Sequence, residues 1–92
     1  MDWNICLERA PGIEIREAPD GVVVYDPGRD RLHYLNPTAA LLLESCDGSL
    51  PAAELPDLLA AAFDLAAPPT GEVETCLTTL LDQGLLIAAR AG

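Results

Sequence analysis

This sequence has few residues of the kinds that carry out chemistry. Its one histidine, His33, lies in a segment of strand-forming residues. A lone histidine in a strand is more often a packing or surface residue than a catalyst. No Ser-His-Asp arrangement is evident around it, and catalysis requires positioned acids, bases, nucleophiles or metal ligands. We therefore expect that the protein is not an enzyme, since an enzyme would have to rely on His33.

The other reactive side chains also fail to form a recognisable site. The cysteines, Cys6, Cys46 and Cys76, are odd in number and far apart, which argues against a disulfide framework or a zinc site. Cys46 and Cys76 fall on apolar helix faces, which predicts burial, whereas Cys6 is expected near the surface. The acidic residues are scattered, and no glycine-rich phosphate-binding motif is present. No cofactor and no metal are expected.

Charge limits the classes of partner. The net charge is −10, with five arginines and no lysine. Nucleic-acid affinity comes largely from neutralising phosphates, so we expect no nucleic-acid partner, and anionic membrane surfaces are disfavoured for the same reason. The acidity suits solubility, and it also suits exclusion of wrong partners or steering of a basic one. Two of the arginines, Arg29 and Arg31, lie together at the start of a predicted strand.

Length and composition indicate one small domain. The 92 residues are 50% hydrophobic but only 4% aromatic, so the core must consist mainly of leucine, valine and alanine. The N-terminal segment lacks the apolar stretch of a secretory signal. No uncharged apolar run approaches the ~18 residues of a membrane-spanning helix. We expect a cytoplasmic protein with no membrane association.

Three short segments have strand-forming patterns. Ile13–Glu17 alternates apolar and polar residues, while Val22–Asp26 and Arg31–Leu35 are rich in β-branched, leucine and aromatic residues. Turn residues separate the segments at Pro19–Gly21 and Pro27–Asp30, which predicts an antiparallel three-stranded meander. In chain order the third predicted strand lies at the sheet edge, although a central position stays open.

A first helix is predicted directly after these strands. Asn36 is a strong N-cap residue, Pro37 suits the first helical position, and Gly48 is expected as the left-handed residue that follows the helix end. Within the segment HYLNPTAALLLESCDGSL, this helix is apolar on nearly all of its sides. We therefore expect other elements to cover it on several sides.

Two more helices are predicted from apolar stripes at helical spacing. The stripe of the second is Leu55, Leu58, Leu59, Ala62 and Phe63. Pro56 requires either that this helix begins late, near residues 53 to 55, or that its first turn is distorted. The stripe of the third is Val73, Cys76, Leu77, Leu80 and Leu81. Gly84 ends the third helix, and Leu85–Ala89 is expected to be a short final strand or an extended tail.

This order of elements predicts an α+β fold in which a three-stranded antiparallel sheet is followed by three helices, a winged-helix-like arrangement. The expected organisation is an N-terminal extension (1–12), a domain (13–89) and a C-terminal tail (90–92). An exposed edge at Arg31–Leu35 can accept another chain as an added strand. The wide stripe of the third helix either supplies pockets for that chain or belongs wholly to the core.

The ordered set of motifs resembles the PqqD-like family. YLNPTAALLLESCDGS looks like its central signature, a strand ending in Leu-Asn, a helix rich in small residues and an Asp-Gly. VVVYDPGRDRLHYL is similar to the hairpin that precedes the signature, and FD and LLDQGLL are similar to its usual end. The resemblance spans about residues 13–87, and the two prolines Pro51 and Pro56 depart from it at the start of the second helix.

The resemblance implies a recognition element that binds the leader of a ribosomally synthesised precursor peptide (RiPP). It implies presentation of that peptide to a modifying enzyme, such as a radical-SAM maturase or a leader peptidase, in natural product biosynthesis. In the family the leader adds to the third strand of the sheet and rests in a groove against the third helix. The implied peptide-binding residues are Arg29, Arg31, Leu32, His33, Tyr34, Leu35, Val73, Cys76, Leu77 and Leu80. Arg29 and Arg31 either pair with a leader carboxylate or are solvated.

Two functions from other classes stay open. One is a winged-helix DNA-binding regulator, although a DNA reader is basic on one helix and the third helix carries Glu72, Glu74 and Asp82 with no basic residue. The other is a purely scaffolding subunit of a maturase complex. A homodimer is a further option, since an exposed edge strand can pair with its own copy.

Overall fold

The computed structural model describes residues 2–89 and shows an α+β fold with two three-stranded antiparallel sheets and three α-helices. The elements in chain order are β1 (Cys6–Arg9), β2 (Glu14–Ala18), β3 (Gly21–Asp26), β4 (Arg31–Leu35), α1 (Pro37–Ser45), β5 (Asp47–Pro51), α2 (Leu55–Ala62), α3 (Thr70–Asp82) and β6 (Leu86–Ala88). The expected C-terminal tail, residues 90–92, lies outside the described residues.

The predicted meander is confirmed. One sheet has the strand order β2-β3-β4, and both neighbouring pairs are antiparallel. The valines of β3 alternate between the two faces, so that Val22 and Val24 are buried and Val23 between them is half-buried. Because cross-strand partners share a face, Leu35 and His33 of β4, which pair with Val22 and Val24, also lie on the core side.

A second sheet corrects the predicted order of three strands followed by three helices. Its strand order is β5-β1-β6, so one strand precedes the meander, one lies between α1 and α2, and one follows α3. The segment expected to be an N-terminal extension therefore contains the central strand of a sheet, Cys6–Arg9, in which Leu7 is fully buried. These strands form because they pair with distant segments, since β5 itself is composed of residues with weak strand propensity.

The N-terminus of α1 is confirmed and its C-terminus differs from expectation. The Ala39 N–H donates to Asn36 Oδ1 at 2.8 Å, and Pro37 occupies the first helical position. The helix ends at Ser45, and Gly48, although its φ is +89°, lies within β5. The positive φ favours glycine at this position, and a Cβ would lie 3.3 Å from the Glu8 Oε2 atom of the adjacent strand.

The late start of α2 and the glycine end of α3 are confirmed. A short 3₁₀ helix over Ala52–Glu54 precedes α2, which places Pro56 in the first turn, where a proline is tolerated. Gly84 follows the end of α3 with φ +75°. The short final strand that was one of two expectations for Leu85–Ala89 is β6.

The core lies between the two sheets and the helices and is built mainly from leucine, valine and alanine, as composition predicts. From α1 it takes Ala39, Ala40, Leu42 and Leu43, because both β3 and α3 pack on this helix. From α3 it takes Val73, Leu77 and Leu80. The predicted coverage of α1 on several sides is therefore confirmed.

Candidate functional site

The outer edge of β4 is a prominent binding feature of the fold. β4 pairs with β3 along one side, and no strand within residues 2–89 pairs with its other side. An edge strand leaves outward N–H and C=O groups available for hydrogen bonds to another chain. Of the two positions left open by the sequence, the edge position is therefore the one observed.

The two faces of β4 differ in character. Leu32 and Tyr34 point away from the core and are 61% and 80% exposed, respectively. Their cross-strand partners Tyr25 and Val23 are half-buried, so this outer face presents a continuous apolar surface. Exposure of large apolar side chains side by side on one face is typical of an interaction surface.

A cavity adjoins the edge where β4 begins and α3 ends. It has a volume of about 880 Å³, and we call it the β4–α3 cavity. Its lining residues are Arg29, Arg31, Leu32, His33, Asp82 and Gln83. The hairpin residues in this set were predicted for the site, whereas Asp82 and Gln83 were not. Gln83 lies two helical turns after Cys76, which places the two residues on one flank of α3. This spacing could have identified Gln83 as a site residue from the sequence.

Arg29 connects the two walls of the cavity. Its Nη1 donates a hydrogen bond of 3.1 Å to the main-chain carbonyl of Gln83. The last turn of α3 contains no basic residue of its own, so Arg29 supplies the cation that favours a helix C-terminus. A Cβ on Gly84 would lie 2.5 Å from Nη1. A glycine at this position therefore leaves room for the guanidinium.

Two of the lining residues each have a side-chain atom that lacks a hydrogen-bond partner. His33 Nε2 and Gln83 Oε1 are both buried, and neither has a partner among the described residues. A buried polar group without a partner destabilises the free protein by roughly 1–3 kcal/mol. Such groups are uncommon in folded proteins and are usually completed by water or by a bound group.

The residues of α3 predicted to line a groove lie in different environments. Val73, Leu77 and Leu80 are fully buried in the core, so none of them offers surface to a ligand in this structure. Cys76 is half-buried. The groove that the structure presents beside β4 is therefore formed by the last turn of α3 instead of by the centre of its apolar stripe. Leu35 is likewise buried and anchors the end of β4.

The thiols of Cys46 and Cys76 do not have the properties of nucleophiles. Burial raises the pKa of Cys46 to about 11, against a weaker opposing effect of the nearby Arg9. Burial also raises the pKa of Cys76. Both thiols are therefore protonated at neutral pH, whereas a reactive cysteine has a lowered pKa. The predicted burial of Cys46 is confirmed, while Cys6 and Cys76 are half-buried free thiols.

Comparison with known proteins decides the family. The family model described as coenzyme PQQ synthesis protein D (PqqD) matches residues 21–86, most of the chain. The chain belongs to the PqqD family. PqqD proteins are RiPP recognition elements, non-catalytic accessory proteins that bind a precursor peptide and work with a modifying enzyme. No curated protein and no solved structure matches the chain.

The region matched by the PqqD model contains both walls of the β4–α3 cavity. It runs from the start of β3 to the first residue of β6, and so it includes β4, Arg29 and the last turn of α3. β1 lies outside it. None of the helices within residues 2–89 has the length and apolar character needed to cross a membrane.

Proposed function

We propose that this PqqD-family protein binds the leader region of a ribosomally synthesised precursor peptide at the outer edge of β4. The observation that carries the proposal is the combination of an unpaired strand edge with the β4–α3 cavity on one side and the exposed Leu32 and Tyr34 on the other. Main-chain hydrogen bonds to the edge supply affinity, and side-chain contacts on both faces supply specificity.

The proposed leader contacts are Arg29, Arg31, Leu32, His33 and Tyr34. Successive side chains of an added strand point alternately to opposite faces. One set therefore faces Leu32 and Tyr34, and the other set faces the cavity. The buried Val73, Leu77 and Leu80 contribute by fixing α3 at its distance from β4.

The proposal extends to the setting of the protein. The bound leader is presented to a modifying enzyme, such as a radical-SAM maturase or a leader peptidase, in the cytoplasm. The arrangement of α1–α3 with the β3–β4 hairpin is winged-helix-like, as the family resemblance implies. A homodimer through β4 would use the same edge and would compete with the leader.

DNA binding is the less favoured alternative. The exposed and half-buried charges of α3 are Glu72, Glu74 and Asp82, and this helix has no basic residue. A recognition helix with this charge is repelled by phosphate. A purely scaffolding role is distinguished from leader binding by whether the peptide itself is bound.

The test is calorimetric titration of the full chain with three ligands: its cognate precursor peptide, the leader segment alone, and the core segment alone. We expect the precursor and its leader to bind with the same Kd and the core segment not to bind. Binding of the core segment alone would contradict the proposal. Binding to duplex DNA at physiological salt, with no binding of the precursor, would instead support the regulator.

A further inference from the structure

The β4–α3 cavity has the donor set of a carboxylate site. We propose that it is the specificity pocket of the leader site and that it receives one acidic side chain of the leader, flanked in the leader sequence by apolar residues. This inference rests on the proposed function and adds to it the chemistry of the peptide that the edge selects.

The first support is the distribution of arginines in a chain of net charge −10. Arg9 donates from Nη1 to the Glu44 carbonyl at 2.7 Å, and Arg16 lies 3.5 Å from the Glu14 carboxylate. The side chain of Arg31, by contrast, has no hydrogen-bond or ion-pair partner within residues 2–89, and it lines the cavity. Its guanidinium is free to form a bidentate pair with a carboxylate.

Arg29 adds a second guanidinium beside the first. One of its N–H groups bonds to the Gln83 carbonyl, and a guanidinium carries further donors in a fixed planar arrangement. Because this bond holds Arg29 in place, its remaining donors are oriented before a ligand arrives. Pre-orientation of donors lowers the entropic cost of binding.

The unpaired atoms His33 Nε2 and Gln83 Oε1 supply the second support. In the tautomer that carries its proton on Nε2, His33 donates to an incoming carboxylate. A half-turn of the Gln83 side-chain amide presents its NH₂ group to the same ligand. Both atoms are buried, so a carboxylate reaches them only once the His33 and Gln83 side chains turn toward the cavity, and the arginines are its first contacts.

Asp82 limits the pocket to one acidic group. It lies in the same lining as Arg29 and Arg31, so two positive charges stand against one negative charge. The lining residues therefore carry a single excess positive charge, which a single carboxylate neutralises. A second acidic residue on the same face of the leader, two positions away, would meet Asp82 without a further counter-charge in the lining.

The alternation of side chains along β4 determines which kind of leader residue flanks the acidic one. Arg31 and His33 occupy one face of the strand, while Leu32 and Tyr34 occupy the other. A leader strand beside β4 alternates in the same way. When its acidic side chain faces the cavity, the residues immediately before and after it face Leu32 and Tyr34. The expected recognition pattern is therefore apolar–acidic–apolar.

The experiment is selection of a display library of randomised short peptides on the full chain and on its Arg31→Glu variant. The wild-type chain should enrich Asp or Glu between apolar residues, and Arg31→Glu should lose this preference and enrich Lys or Arg at the same place. In a selected peptide, replacing the acid by its amide should weaken binding about tenfold or more. Asp82→Asn should strengthen binding by up to about fivefold.

Two different failures are distinguishable. Amide mapping of selected peptides shows whether they pair with β4. If they do, and the position facing the cavity shows no acidic preference or the same preference in Arg31→Glu, the pocket assignment is overturned while leader binding at the edge stands. If no selected peptide contacts β4, the proposed function and the pocket are overturned together. Arg31 is exposed, and circular dichroism verifies that its variant is folded.

Discussion

Arg29 Nη1 lies 3.1 Å from the main-chain oxygen of Gln83, and this hydrogen bond ties the β3–β4 turn to the end of α3. The two residues are far apart in sequence and come from the two walls of the β4–α3 cavity. The distance between the strand edge and the helix is therefore held by a specific contact. Changes to this contact should alter both stability and the shape of the proposed leader site.

Replacement of Arg29 tests the energetic part of this relationship. Arg29→Ala leaves the carbonyl at the end of α3 without its cationic donor, and we expect the free energy of unfolding to fall by about 1 kcal/mol. Arg16→Ala is the matched control, because Arg16 is also exposed and its pair with Glu14 is a surface ion pair worth at most about 0.5 kcal/mol. Urea unfolding measures both values, and equal losses would contradict the assignment.

Gly84 should be sensitive to substitution for two separable reasons. Gly84→Ala forces a side chain into a left-handed conformation at φ +75° and places its Cβ against Arg29. Gly12 has a similar φ of +85° with nothing within 4 Å of its Cβ position. Gly12→Ala should therefore cost only the conformational strain, about 1 kcal/mol, and Gly84→Ala should cost more. The excess should disappear in an Arg29→Ala background, as a double-mutant cycle would show.

Gly21 is the glycine at which substitution should be most damaging. Its φ is +144°, and a Cβ there would overlap the main-chain carbonyl oxygen of Leu35. Backbone cannot move aside as a side-chain tip can, so Gly21→Ala should destabilise the protein by about 3 kcal/mol or more. Gly71→Ala, in open space within α3, should be neutral or stabilise by up to about 1 kcal/mol. Thermal unfolding of the two variants tests this contrast, which similar melting temperatures would refute.

The sequence predicts the elements that are specified by local residue patterns. It misses the elements that form only by pairing with distant segments. The meander and α1 follow from residue alternation, turn residues and the cap at Asn36. β1 and β5 were missed because their sequences, CLER and DGSLP, have no strand pattern of their own. β5 is a strand because β1 lies beside it, and β1 is a strand because β5 and β6 lie on its two sides. Burial is also only partly predictable from the sequence. The stripe of α3 identifies Val73 and Leu77 as core residues but does not show which neighbouring elements cover them.

About half of the candidate site could be predicted from the sequence. The edge strand and its arginines follow from the hairpin, and the resemblance supplied their proposed role. The contribution of Gln83 depends on how the end of α3 meets the β3–β4 turn, a tertiary contact between distant segments. No local pattern reveals that a helix lacking its own C-terminal cation receives one from Arg29.

Exposed Tyr34 offers a test of the outer face. Because Tyr34 is 80% exposed, Tyr34→Ser should change the free energy of unfolding by less than about 0.5 kcal/mol. If a leader covers this ring, the same change should weaken leader binding about tenfold. Phe63→Ser is the control, since Phe63 is an exposed aromatic residue, 41% exposed, at the end of α2. Calorimetry should show unchanged leader affinity for that variant, and equal weakening in both would argue against a specific contact.

The raised pKa of Cys46 predicts a loss of stability in alkali. The folded chain keeps the Cys46 proton up to about pH 11, whereas the unfolded thiol loses its proton near its ordinary value of 9. The stabilising effect is therefore complete below about pH 9 and is lost as the pH rises toward 11. Tyr25, whose pKa is raised by its hydrogen bond with Asp30, acts in the same direction. Urea unfolding across this range should show a smaller decline in Cys46→Val than in the wild type, and an identical decline would contradict the assignment.

The measurement that tests the central claim most directly is an amide titration by nuclear magnetic resonance. The isotope-labelled full chain is titrated with the leader segment of its precursor, and the shifts along both edges of the meander are compared. Leader addition to β4 predicts shifts at Arg31–Leu35 and at the last turn of α3, with the opposite edge strand, β2, unchanged. Shifts confined to β2 or to the β5-β1-β6 sheet, with β4 unchanged, would contradict the account.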